Sequence, residues 1–363
     1  TSGGLDKDYA FKYSVGVGET FTLLIPGIYG GSNGGAEYKK SAFADKLMEV
    51  GYPEDQALQS ANGMSYWGDQ QPTSGPVYFG AIVMLLFVFA LFFEKGWLKW
   101  SLLAAGLFGV LLAWGKNVES INYFLFDYMP LYKKFRAPSM GLVIPQLCFV
   151  AMGAITLNNL LFGNNSADKI KKAWKNTAIA SVALIAIAGI MYFSFDYSSP
   201  NDSRIKDNMS GAMLQQYTQQ GQQVTAEMQQ QAETFGRSFI TAIQTDRKGL
   251  FAGDMMRTVF LLALGLGLLW AFAYQKMKAF PVMIALLLIS SFDVMAVGKR
   301  YINENSFVEP DEFNNSFTLS EADKMIKQDT GYYRVLNTTT DFTNESFTSY
   351  HHNSIGGYHP AKL

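Results

Sequence analysis

Six long apolar runs, at 76–93, 97–114, 140–162, 176–195, 258–274 and 280–297, alternate with polar stretches along the chain. A hydrocarbon core of about 30 Å is crossed by roughly 20 helical residues, and each run approaches that length. Tyr78, Trp97, Trp100, Trp114, Trp174, Trp270 and Tyr274 lie at the flanks, where amphipathic rings settle among lipid headgroups. The second run is short, and snorkelling Lys99 extends it. The pattern predicts an α-helical polytopic membrane protein with about six transmembrane helices in this chain.

The polar stretches have their own patterns. In residues 1–75, an amphipathic helix over 36–50 places Phe43, Leu47 and Val50 at helical spacing. Residues 14–25 form an apolar patch broken only by Glu19 and ended by Pro26-Gly27 and Gly30-Gly31, as in an interfacial or re-entrant element. The 196–254 insertion carries a Gln-rich helix whose stripe, Tyr217, Val224, Met228, Phe235, Phe239 and Ile243, is expected to rest on the membrane domain or the polar tail. From 301 to 363 the chain is rich in Asn, Ser, Thr, Asp and Glu, with capping-box starts at Thr318 or Ser320 and a strand-like run at 332–336. That segment reads as the start of an external α/β soluble domain, following a transmembrane domain at 76–300.

Composition agrees with the pattern: 49% hydrophobic and 16% charged residues are too apolar for an ordinary soluble protein. The net charge of −1 averages over loops on opposite sides of a bilayer, and no basic stripe points to nucleic acid. Cys148, the single cysteine, excludes an internal disulfide and a cysteine metal cluster. The polar start at Thr1 lies where the topology needs an external segment, so upstream membrane helices are expected.

Charge sets the orientation. Lys95, Lys99, Lys169, Lys171, Lys172, Lys175, Lys276 and Lys278 lie in one set of short loops, which the positive-inside bias makes cytoplasmic. The large polar segments are then extracytoplasmic. The cytoplasmic loops are too short for a nucleotide fold and carry no phosphate-cradling glycine motif, so chemistry belongs to the outer face and a lipid-borne substrate.

Against that bias, the outer loop at 115–139 holds Lys133, Lys134 and Arg136 beside Tyr132 and an aromatic stretch at 122–129. These cations suit a lipid phosphate, with ordinary anionic headgroups as the simpler alternative. Glu19, in apolar surroundings, suits proton transfer or pairing with Arg136. Asp293, inside the last apolar run, is expected to pair with Lys299 or Arg300 or to face substrate with Arg300. Asp6 and Asp8 are candidates for a divalent metal ion or sugar hydroxyls, and Asp8 joins Glu19 as a candidate catalytic carboxylate. His351, His352 and His359 cluster without cysteines, a poor zinc set, and the glycosylation-type triplets at Asn337 and Asn344 are expected by chance in an Asn-rich tail.

Several ungapped strings resemble the YfhO family of bacterial membrane proteins, Bacteroidetes members most closely. They are residues 18–31, residues 66–80, Trp114-Gly-Lys-Asn117, Leu131-Tyr-Lys-Lys-Phe-Arg136, Asp293 with Lys299-Arg-Tyr301, and residues 356–363. The resemblance implies a GT-C type glycosyltransferase bundle that transfers a sugar from a polyprenyl-phosphate donor to a cell-envelope glycopolymer or lipid. It implies Lys133, Lys134 and Arg136 as contacts to the donor's phosphate and Glu19 as a site-lining carboxylate. The family's catalytic acid is implied in a first external loop upstream of Thr1, so none is carried over. The alternatives are a flippase or transporter of envelope lipids or polymers, and a non-catalytic membrane scaffold.

Overall fold

The computed structural model describes residues 5–34, 38–70, 73–342 and 345–357, without the side chain of Asn305. The described residues fall into two compact units, 5–301 and 302–357. In chain order the first contains α1 (Lys7–Ala10), α2 (Ala42–Glu49), α3 (Glu54–Gly63), α4 (Ala81–Phe93), α5 (Trp97–Trp114), α6 (Glu119–Tyr128), α7 (Val143–Phe162), α8 (Ala167–Ser194), α9 (Asp202–Gln219), α10 (Ala226–Ala273) and α11 (Ala279–Gly298). Five helical stretches, Trp97–Tyr128, Pro138–Phe162, α8, α10 and α11, are long and apolar enough to cross a membrane. The chain is a polytopic helical membrane protein.

The first apolar run, 76–93, departs from its expected form. Residues 76–80 are not helical, and α4 has 13 residues, which at about 1.5 Å each reach roughly 20 Å. Gly80, at φ 101°, turns the chain, and the Ala81 N–H is capped by Asp293 Oδ2 at 2.8 Å. Extended backbone survives at membrane depth only inside protein. Here Phe79 donates its N–H to the Leu23 carbonyl at 3.1 Å, and Thr22 Oγ1 donates to the Val77 carbonyl at 3.1 Å. Ile82, Leu85, Phe89 and Phe93 on α4 are fully enclosed, so this apolar helix forms the centre of the bundle.

The insertion at 196–254 also differs from expectation. The polypeptide turns at Gly221, φ 76°, so Tyr217 on α9 does not continue the stripe on α10. Phe239 and Ile243 instead pack on Phe43, Leu47, Ala57 and Ala61 of α2 and α3, within the first polar segment. Asp246 caps α2, accepting from Ser41 Oγ at 2.6 Å and the Ala42 and Phe43 N–H groups at 2.8 and 3.0 Å. With 48 residues, α10 runs on from this outer layer into the bundle without a break.

All the long connections of this unit therefore gather at one end of the bundle, while α4–α5, α7–α8 and α10–α11 are joined by short turns at the other. Buried Arg247 locks the long-connection end. Its guanidinium forms a two-pronged pair with Asp202 at 2.7 and 3.0 Å and donates to the Tyr197 and Met64 carbonyls at 2.9 and 3.0 Å.

In the second unit, α12 (Pro310–Asn315), α13 (Glu321–Ile326) and α14 (Phe347–His351) surround stacked Phe317, Phe347 and Tyr350. The capping box is at Ser320, with Asp323 as its return partner. The strand-like run at 332–336 forms only an isolated bridge, Val335 to Ser354, and the described residues contain no strand. The expected α/β character is thus corrected to short helices and loops, because a lone extended run without a ladder gains no strand.

Replacing Arg247 with Ala strands the Asp202 charge and should cost about 3–5 kcal/mol, read as a large fall in the thermal midpoint of the purified protein. A paired Arg247→Met, Asp202→Leu variant should recover most of that loss. Equal losses in both variants would show that the ion pair itself is not the origin.

Candidate functional site

The site grows from the short helix α1. Phe11, which follows it, is buried against Tyr123, Phe126 and Tyr132, with ring centroids 5.1, 5.5 and 6.5 Å away. Lys7 fixes the same contact through Asp127 at 2.7 Å. Docked this way, Asp8 and Lys12 line a polar cavity of about 940 Å³, together with Asp69, Lys116 and Asn117. Its apolar wall is an aromatic cluster of Tyr29, Trp67 and Phe195, with Trp67 4.7 Å from Tyr29 and 5.1 Å from Phe195 between ring centroids. The indole N–H of Trp67 is buried and has no acceptor among the described residues.

Behind the wall lies Glu19, in the 3-10 turn Gly18–Leu23, 5% exposed. It accepts hydrogen bonds from the Gly16 N–H at 2.5 Å, from the Tyr66 hydroxyl and from the Asp69 N–H. Close approach demands glycine at two places. A Cβ at Gly16 would stand 2.7 Å from Asp69 Oδ2 and 2.9 Å from Glu19 Oε2, and one at Gly68 would overlap Glu19 Oε1. The two carboxylates therefore face one backbone segment. Burial raises the proton affinity of Glu19, and the Asp69 charge adds to it, against the lowering by the Tyr66 hydroxyl and Gly16. Burial and the same two carboxylates push Tyr29 up to about 12 and raise Tyr66 further.

The loop cations lie elsewhere. Tyr132 and Arg136 line a second, largely apolar groove of about 380 Å³ with Phe126, Met129, Phe135 and Ile144, while Lys133 and Lys134 are not among its lining residues. Arg136 Nη1 donates to the Tyr9 hydroxyl, with its guanidinium 5.7 Å from the Tyr9 ring centroid. Phe11 lines both the polar cavity and this groove.

Other predicted residues are paired within the protein. Asp293 is fully buried, but its cation is Arg257 of α10, not Lys299 or Arg300, and it also accepts from Tyr78 at 2.8 and 2.9 Å. Arg300 instead grips Asp254 with two bonds of 2.6 and 2.7 Å. The expected Glu19–Arg136 pairing is not made: Glu19 sits against Tyr66, Gly16 and Asp69. Asp6 caps α1, accepting from the Asp8 N–H at 2.9 Å. No three His, Cys, Asp or Glu side chains converge as a metal site among the described residues. His351 contacts the Phe317 carbonyl and His352 contacts Asp323, whose carboxyl is lowered to about 2 by Ser320 and His352. His359 and Asn344 lie outside the described residues.

Lys12, Trp67, Asp69, Lys116 and Asn117 are thus cavity residues absent from the predicted site. A signal was present in Trp67-Gly-Asp69 and Trp114-Gly-Lys116-Asn117, where small residues separate aromatic and ionisable ones in polar segments. No protein-family model matches this chain, and neither does any curated protein or solved structure.

Glu19→Gln tests the buried carboxylate. A group whose folded pKa is raised gives its full stability below the unfolded value near 4.5, and loses it as pH climbs toward the folded value. The parent should therefore lose stability relative to Glu19→Gln above pH 4.5, by up to about 1.4 kcal/mol per pH unit in that window. Thermal melts across pH 4 to 8 read the trend, and parallel curves would exclude it.

Proposed function

We propose that this chain is a membrane glycosyltransferase of the YfhO type, taking a sugar from a polyprenyl-phosphate donor to an envelope glycopolymer or lipid. One observation carries the reading: a polar cavity and an apolar groove share a single wall residue, Phe11, with Arg136 on the groove side. A donor of this class has the same division, a sugar phosphate joined to hydrocarbon. The prenyl chain lies along Phe126, Met129, Phe135 and Ile144. The sugar enters the cavity, where Trp67 and Tyr29 offer ring faces and Asn117 and Asp8 offer polar groups.

In the proposed reaction, Asp69 takes the proton of an acceptor hydroxyl, whose oxygen attacks the anomeric carbon. The bond from that carbon to the phosphate oxygen breaks, and the phosphate departs with the electron pair. Lys12, Lys116 and Arg136 offset its charge, so no metal is required. Glu19 is a positioning residue: it holds the Asp69 N–H and, through Gly16, the turn beside it. The cation count in the short turns supports a cytoplasmic position for that end of the bundle, which gives the cavity to the outer face.

Transfer of labelled sugar from a polyprenyl-phosphate donor, measured in membranes, tests the proposal. Asp69→Asn should slow transfer by about 10²-fold or more, as loss of a general base does. Lys116→Gln and Arg136→Ala should each lower it, with Lys171→Gln at the opposite end as control. Full activity in Asp69→Asn would remove the base. Translocation of lipid or polymer by the parent, with no sugar transfer, would favour the flippase instead.

A further inference from the structure

At the short-turn end of the bundle, α4, α5 and α7 enclose a cleft of about 210 Å³. Its rim is the turn after α4, which brings Glu94, Lys95 and Lys99 together. Lys99 Nζ donates to the Leu91 carbonyl at 3.2 Å and lies 4.4 Å from the Trp100 ring centroid. Neither Lys95 nor Lys99 forms an ion pair among the described residues. Glu94 has only a neutral hydrogen-bond donor there, Asn159 Nδ2 at 3.1 Å. Deeper in the cleft is Thr156, fully buried, whose hydroxyl has no partner among the described residues. An unsatisfied hydroxyl at hydrocarbon depth is costly, and a ligand oxygen would relieve it. At the mouth, Leu98 and Ile155 are 43% and 37% exposed, an apolar edge open to the side.

Two cations, one carboxylate, an orphan hydroxyl and an apolar edge define a ligand with an anionic group, a cationic group, an ester oxygen and hydrocarbon chains. We propose that this cleft binds a phospholipid whose headgroup carries both a phosphate and a primary ammonium. The phosphate meets Lys95 and Lys99, the ammonium donates to Glu94, and an ester carbonyl accepts from Thr156. The acyl chains leave past Leu98 and Ile155. Charge complementarity selects this occupant: a purely anionic headgroup sets its charge against Glu94, and a quaternary amine has no N–H to donate. The inference is independent of sugar transfer, since it uses none of the cavity residues.

Native mass spectrometry of the purified protein with added phosphatidylethanolamine, phosphatidylglycerol or phosphatidylcholine reads the site. Phosphatidylethanolamine should be retained in preference to the other two. Glu94→Gln should abolish its advantage over phosphatidylglycerol, and Thr156→Val, which removes a costly unsatisfied hydroxyl, should weaken retention while leaving the thermal midpoint at or above that of the parent. A Lys95→Gln, Lys99→Gln variant should lower retention about ten-fold or more, while Lys171→Gln, Lys172→Gln on the same end should not. No headgroup preference in the parent, or equal losses in the two lysine pairs, would overturn the proposal. Asp69→Asn should leave retention unchanged, which separates failure here from failure of the transferase reading.

Discussion

The carboxylate of Asp293 decides where the centre of the bundle begins. Fully enclosed between α4, α10 and α11, it accepts from the Ala81 N–H, the Tyr78 hydroxyl and Arg257. A lone charge there would be prohibitive, and the guanidinium with these donors makes it tolerable. Because Asp293 caps α4, the preceding five residues are free to run extended, and Phe79 bonds to the Leu23 carbonyl instead of continuing the helix. That crossing pins the 14–25 stretch to the bundle. The turn containing Glu19, and the Tyr66–Asp69 segment against it, follow from the same crossing.

The cavity end rests on a second buried pair with a different task. Arg247 joins α10 to the start of α9 and to the 195–202 connection, which supplies Phe195, Ser198 and Pro200 to the cavity wall. The loops around the cavity are therefore tied to long helices rather than to one another. A loop site gains definition when its anchors are rigid elements, and here α10 carries one anchor out of the membrane on a continuous rod.

Much of the helical frame was legible in the residues. The run at 97–114 coincides with α5, and 280–297 falls within α11, because uninterrupted apolarity of membrane length has few other solutions. Pairings were not legible. Asp293 finds Arg257, 36 positions earlier, while the nearby Arg300 pairs with Asp254, and nothing local in the chain distinguishes these outcomes. The cavity was missed for a related reason. Charge counting singled out three clustered cations, whereas Lys12, Asp69 and Lys116 are spread over a hundred residues and meet only through the docking of Phe11 on α6. Amphipathic spacing likewise located Phe239 and Ile243 on a buried face but gave no means of telling that α2 and α3 cover it.

Phe11 stands between two environments. A bilayer ends in a boundary where hydrocarbon gives way to headgroups over several ångströms, and a soluble active site normally stands apart from it. Here one ring, 2% exposed, borders a polar chamber and an apolar trough. A boundary between polar and apolar surroundings is thereby narrowed to the thickness of a benzene ring. An amphiphile crossing that line changes surroundings between neighbouring bonds, so its lateral position is set by where its polarity changes rather than by the length of either part.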